Sequence, residues 1–390
     1  MNGFNDAQFA DATKVLATAM VQRQVERKLA SIRKIDDIQP IEGADAIEVA
    51  VLGGWKVVVK KGEYQPGDLC VYCEIDCWMP HDLAPFLSKG KEPRVYEGIK
   101  GEKLRTVKLR GQISQGLLIS LPVAAGFIEA KLHAENPNEM VTVRLGMTPV
   151  GTDISEDLGI IKWEPVLPAN MAGQVKGLFP SFIRKTDQER CQNIVDEIFV
   201  ENKDARYEVT IKMDGSSVTG YKYQADTGVC SRNLELKIDD TNKDNALVKM
   251  FQGSMLQAVL DKMGENIAVQ GELMGPGIQG NRENFKDTKF FIFDAQFIDD
   301  QRYLTPDERK ALFTDLIGYG VDEQTVQHVP VLHFNVTLAE LGIFNIEDLL
   351  KFAEGASINH PVREGLVFKR MDGGFSFKAI SNKFLEREKD

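Results

Sequence analysis

The chain has 390 residues, 43% of them hydrophobic and 27% charged, with a formal net charge of −11. That length suits two cores better than one, and the composition is that of a globular chain, not a disordered or fibrous one. No apolar run reaches the ~20 residues of a membrane-spanning helix. Bulk acidity offers no general attraction to a phosphate backbone, although a local basic strip can still bind one.

The opening Met1-Asn-Gly-Phe-Asn-Asp6 lacks the basic and apolar regions of a secretory leader. Five cysteines, an odd number in a long chain, fit a reducing compartment better than a disulfide framework. A cytoplasmic protein is expected. In residues 1–26, Phe9, Ala12, Leu16 and Met20 fall at helical spacing, which predicts an amphipathic arm without chemistry of its own.

Residues 27–163 read as all-β. Leu29–Ile35 alternates, Ile47–Leu52 and Trp55–Val59 flank a Gly-Gly turn, and Leu69–Ile75, Leu104–Leu109 and Gly116–Ser120 follow. Short strands with glycine and proline turns at this spacing predict a small barrel, which resembles an OB-fold. Lys100, Lys103, Arg105, Lys108 and Arg110 recur along one strand and its entry. They form either a solvated strand or an approximate strip for a nucleic-acid backbone. Cys70, Cys73, Cys77 and His81 could be drawn as a zinc site, but there is no second CxxC pair and the segment reads well as a buried strand.

Residues 122–150 read as an irregular insertion. The prolines and glycines of 164–190 mark a linker, and Asp187–Phe199 reads as a helix. From 164 to 390, strands and helices mix in an α+β arrangement.

Within that second domain, Tyr207–Lys212 alternates as a strand and meets a tight Asp-Gly-Ser-Ser turn. A lysine at a strand end, over a glycine turn, is well placed for nucleophilic attack. Its amine must be neutral to attack, so nearby cations or burial are expected to lower its pKa. Downstream come Cys230-Ser-Arg232, Gln270-Gly-Glu-Leu-Met-Gly275, Phe290-Phe-Ile-Phe-Asp294, Glu364-Gly-Leu-Val-Phe-Lys369 and Ser376-Phe-Lys378. Each is weak alone. Taken in order, they resemble the collinear motifs of the covalent nucleotidyltransferases, the superfamily of ATP-dependent ligases and capping enzymes. The closest likeness is to nick-sealing RNA ligases of the Deinococcus type, which carry an OB module before the catalytic domain.

The resemblance implies an α+β nucleotidyltransferase domain (the ATP-grasp-like ligase fold) behind an all-β OB-fold barrel. It implies ATP and Mg²⁺ or Mn²⁺ as cofactors, RNA or an RNA-containing nicked duplex as partner, a monomer, and work in RNA repair. Lys212 would form a lysyl-AMP, pass AMP to an RNA 5′-phosphate, and a 3′-hydroxyl would then seal the strand. Glu364 would bind the metal. Arg232 and Glu272 would hold the ribose, or Glu272 would orient lysine and metal. Phe293 would stack on adenine, with Phe291 the alternative ring, and Asp294 would brace the site. Lys369 and Lys378 would neutralise the α-phosphate, and Thr210, Ile211, Asp214 and Gly215 would line the nucleotide. Two departures stand out. Ile211 replaces an acid that many relatives carry before the nucleophile, so adenine must be read by backbone, Thr210 or another residue. The last motif has Ile380 where nick-sealing enzymes often have a second lysine. The rivals are a capping guanylyltransferase, which would need a further OB domain after a chain that stops soon after Lys378, and an inactive nucleic-acid-binding protein.

Overall fold

The computed structural model describes residues 28–138, 141–163 and 173–387. The expected N-terminal arm, residues 1–26, and the linker residues 164–172 lie outside them. The described chain divides into two compact units, one built from residues 28–163 with 192–195, the other from 173–191 with 196–387.

The first unit is a set of short antiparallel sheets. β1 (Ala30–Lys34), β5 (Leu69–Cys73) and β11 (Leu117–Ser120) form one, with β5 central. β2 (Asp37–Pro40), β3 (Ile47–Leu52) and β4 (Trp55–Lys60) form a meander. β6 (Cys77–Pro80), β7 (Arg94–Tyr96), β8 (Ile99–Lys103) and β12 (Ile161–Lys162) form a third sheet, and β9 (Val107–Leu109) pairs with β10 (Gln112–Ser114). The alternation read from the sequence fixes which faces are buried: Ala50, Leu52, Trp55, Val57 and Tyr72 fill one apolar cluster, Ile32, Val71, Cys73 and Ile119 another. Trp55 donates its indole N–H to Asn193 Oδ1 at 3.0 Å, and Asn193 donates to Glu74 at 3.0 Å, which ties residues 192–195 to this unit.

Three expectations are corrected here. Residues 121–135 form a helix, α1 (Leu121–Glu135), not an irregular loop. Pro122 sits in the first turn, where its missing N–H costs nothing, and Ala124 and Ile128 bury one face. Of the strand expected over Leu104–Leu109 only Val107–Leu109 forms, after a break that follows Ile99–Lys103, so the basic strip is shared between two sheets. Lys100 pairs with Glu92 at 3.1 Å and Lys103 with Asp76 at 2.8 Å. The helix expected over Asp187–Phe199 is a strand, β14 (Glu189–Arg190), then a 3-10 turn (Cys191–Asn193), and only its end is helical, running into a π-helical turn (Glu197–Glu201).

Cys70, Cys73 and Cys77 lie buried in β5 and β6, and burial pushes the Cys70 thiol up to about 12. His81 is held by Ser88 at 3.2 Å. Among the described residues no cluster of three or more His, Cys, Asp or Glu could hold a metal ion. These cysteines act as small apolar core residues.

The second unit contains two sheets. The larger runs β13 (Val175–Leu178), β18 (Leu234–Leu236), β17 (Asp226–Cys230), β16 (Ser216–Tyr223), β19 (Ile267–Met274), β20 (Lys289–Phe297) and β21 (Arg302–Tyr303), with β22 (Val326–His328) parallel to β20. The smaller runs β14, β25 (Ser376–Ile380), β24 (Gly365–Arg370), β15 (Arg206–Lys212) and β23 (Val331–Thr337). Helices α2 (Ala246–Gly253), α3 (Leu256–Lys262) and α4 (Pro306–Gly318) cover the larger sheet, where Phe251, Leu260, Leu312 and Leu316 pack on Val218, Val269 and Ile292. Each such side chain contributes roughly 1.5–3 kcal/mol on burial. α5 (Ile346–Phe352) and α6 (Asn382–Arg387) complete the unit. Among the described residues no helix is long and apolar enough to cross a membrane.

Candidate active site

Lys212 is the last residue of β15 in the smaller sheet, and Ser216 opens β16 in the larger one. The Met213-Asp-Gly215 turn therefore carries the chain from one sheet to the other and leaves the lysine at their seam. Close approach demands the glycine: a Cβ on Gly215 would stand 2.3 Å from the Leu273 carbonyl oxygen. The Gly215 N–H donates to Glu272 Oε1 at 3.0 Å, so the turn also aims that carboxylate. A second glycine, next to Glu364, also sits in a close approach. Gly365 pairs with Lys212 across β15 and β24, and a Cβ there would meet the Ala379 carbonyl at 2.2 Å.

The result is a lysine between two carboxylates. Lys212 Nζ lies 2.7 Å from Glu364 Oε1. Burial works to lower the Lys212 pKa, but Glu364 and Glu272 outweigh it, and the net direction is upward. Burial pushes Glu272 up to about 7; Lys212 opposes that shift and Glu364 adds to it. The expectation that cations or burial depress the Lys212 pKa is thus corrected: the two carboxylates outweigh burial, and the amine is held charged.

On the larger sheet, β20 carries one residue more than its partner between the pairs Gln270–Asp294 and Gly271–Ile292. The extra residue is Phe293, and such a bulge re-aims a side chain. Phe291 is 2% exposed and packs near Phe285, whereas Phe293 is half-buried and presents part of its ring. Asp294 is buried and lies 2.7 Å from Lys369, whose ammonium also donates to the Phe293 carbonyl at 2.6 Å. Lys369 is nearly sealed from solvent, and burial lowers its pKa to about 8.

Lys378 and Arg232 converge on one acid, Asp187, at 3.1 Å and 3.9 Å. Asp214 pairs with Arg282 at 3.0 Å, and that guanidinium lies 4.5 Å from the Phe384 ring centroid. Thr210 is buried, its hydroxyl 3.5 Å from the Val367 carbonyl, and Ile211 sits in the apolar cluster with Met213 and Phe291. All the residues expected from sequence belong to this one unit. Asp187 and Arg282 were missed, the first because it lies in what reads as a linker, the second because an isolated arginine in a loop carries no pattern.

Residues 29–122 match the model of an OB-fold domain, and residues 205–380 that of the RNA ligases. Among solved structures, a ligand-free aspartate-to-alanine variant of the Naegleria gruberi RNA ligase is 44% identical, with a TM-score of 0.74 over 93% of this chain and 98% of that one. The chain belongs to the RNA ligase family. The Naegleria gruberi enzyme with pyrophosphate is also 44% identical, at a TM-score of 0.73 over 93% of this chain and 99% of that one. A lysine-to-alanine variant with ATP and manganese is 43% identical, with the same TM-score and coverage. No curated protein matches the chain. In this ligase the OB-fold module precedes the nucleotidyltransferase domain, as expected.

Proposed function

We propose that Lys212 is the nucleophile of an ATP-dependent RNA ligase acting at breaks held in a duplex. The observation that carries this reading is the Lys212 amine at the seam of two sheets, 2.7 Å from Glu364 and within reach of the charge of half-buried Glu272. In the first step the neutral amine forms an N–P bond to the α-phosphorus of ATP as the bond to pyrophosphate breaks. An oxygen of the RNA 5′-phosphate then attacks the same phosphorus, and the N–P bond breaks to free the lysine. Last, the 3′-hydroxyl attacks the adenylated 5′-phosphorus and AMP leaves. Each is an in-line displacement helped chiefly by positioning and charge neutralisation.

The residues present suit a divalent cation. Glu364 Oε2 is buried without a hydrogen-bond partner, and two carboxylates are what Mg²⁺ or Mn²⁺ takes from a protein when nucleotide phosphates and water supply the other oxygens. Such an ion on Glu364 would polarise the phosphates and draw the carboxylate's charge away from Lys212. Arg232 is assigned to the ribose, Phe293 to adenine and Lys378 to the α-phosphate, which Asp187 must release. Lys369 would add its charge from behind Phe293. With Thr210 and Ile211 buried, adenine is read by backbone groups near Ile211. The five buried free thiols suit a reducing cytoplasm, and a monomer carries all these residues.

The test is incubation with α-labelled ATP and Mg²⁺ or Mn²⁺, then denaturing electrophoresis. Label that survives denaturation and vanishes in Lys212→Ala is expected. Sealing is then compared on nicked duplexes and single strands, with RNA or DNA on the 5′-phosphate side. Label from GTP alone would refute the ATP assignment, and preference for single strands would refute the nick assignment.

A further inference from the structure

Helix α4 opens with Pro306 and a capping box between Thr305 and Glu308, and buries Arg309, Leu312 and Leu316 on one face. An arginine in a core-facing position is unusual, and Arg309 is fully buried. Its Nη2 pairs with Glu208 on β15, itself 1% exposed, and its Nε donates to His328 Nε2 at 3.3 Å. The other ring nitrogen of His328 faces the Val329 carbonyl at 2.8 Å, which makes the imidazole a neutral acceptor for the guanidinium. Arg309 thus fastens β15, in the smaller sheet, to β22, which runs beside β20 in the larger.

The contacts close into a ring. Glu208 stands opposite Lys369 in the β15–β24 register. Lys369 holds Asp294 and the Phe293 carbonyl on β20. Ile292, next to Phe293, stands opposite His328 in the β20–β22 register. Two cations, Lys369 and Arg309, therefore clip the two sheets together on either side of the Phe293 bulge. A buried ion pair rarely adds net stability over apolar side chains of like volume, so stability alone gives no reason for this one.

We infer that Arg309, acting through Glu208 and His328, is a positioning residue that sets the Phe293 ring and Lys369 for the nucleotide. This rests on the assignment of Phe293 to adenine. The charged and titratable groups that act most strongly on Lys369, Asp294 from β20, Glu208 from β15 and Arg309 from α4, belong to the ring, as does His328 from β22. Asp294 and Glu208 favour its charge, and burial and Arg309 oppose it.

The experiment measures KM for ATP, kcat of lysyl-AMP formation, its pH profile, and Tm in two full-length variants. Arg309→Lys keeps the charge and loses the fork. The double variant Glu208→Leu with Arg309→Met replaces the pair by apolar side chains. The expected result is a KM for ATP raised ~10-fold in both, matching the roughly tenfold cost of losing a well-seated stacking contact. kcat should change less than threefold, and Tm of the double variant should stay within a few degrees of wild type. The alkaline limb of the double variant should move to higher pH, because Arg309 is the stronger of the two influences removed. Wild-type KM and limb in either folded variant would overturn the inference, since the pair would then be structural only. If one variant fails to fold, the other decides. Should Phe293→Ala leave KM for ATP unchanged while Arg309→Lys raises it, the adenine assignment falls and the positioning role of Arg309 toward Lys369 stands.

Discussion

Lys212 and Lys369 lie on paired strands of one sheet, each 2.7 Å from a carboxylate. Their proton affinities nevertheless move in opposite directions. Around Lys212, burial is overcome by Glu364 and Glu272, and the pKa rises. Around Lys369, burial dominates, Asp294 offsets only part of it, and the Arg309 guanidinium adds to the fall, leaving it at about 8. The distance to the nearest partner therefore does not set a lysine's charge; depth and the second charge do. For Lys212, the proposed nucleophile, this means an amine held protonated while both carboxylates act on it. For Lys369 it means a charge held close to its titration point.

The sharpest test of the first environment is Lys212→Ala, which should abolish covalent labelling from ATP while leaving Tm within a few degrees. Next in size is Glu364→Gln. Losing the carboxylate should cost on the order of 10²–10³ in the rate of adenylate formation, the range for removal of a principal electrostatic group. The same substitution should lower the Lys212 pKa, read as faster modification of that lysine by an amine-reactive reagent at neutral pH. Unchanged reactivity would break the comparison between the two lysines.

The motif strands were legible because a two-residue period and glycine turns survive without tertiary context: Tyr207–Lys212 and Phe290–Asp294 appear where expected. Other features were not legible. Gly126 and Pro122 read as breakers, yet Pro122 falls in the first turn of α1 and Gly126 meets no neighbour. β14 is two residues long and exists through pairing with β25, a contact between segments distant in sequence. Lys212 was expected to be depressed because no local pattern shows that Glu364 folds back onto it. Arg309 had a readable signal, its helical spacing to Leu312 and Leu316, but the charges around it in Asp307-Glu-Arg-Lys310 suggest a solvated face.

A third prediction separates the two rings of β20. Phe293→Ala should raise KM for ATP ~10-fold or more, from a stacking contribution of roughly 1–3 kcal/mol, with little change in Tm. Phe291→Ala should do the reverse, costing about 3–5 kcal/mol of stability as a core truncation. Equal loss of nucleotide affinity in both would mean that the bulge at Phe293 does not select the ring.

The smallest expected effect belongs to Lys369 and its titration. A lysine whose folded pKa is about 8 and whose unfolded pKa is about 10.4 binds fewer protons in the fold between those values. Its contribution to stability therefore grows as pH rises from 8 to 10.4. Activity should run the other way: adenylate formation should decline by a few fold as pH passes through about 8 and the charge behind Phe293 is lost. Asp294→Asn removes the group that most favours that charge, so its alkaline limb should appear at lower pH than in wild type. A limb that stays in place after Asp294→Asn would show that another group titrates there, because Lys369 cannot lose its nearest carboxylate and keep its proton affinity.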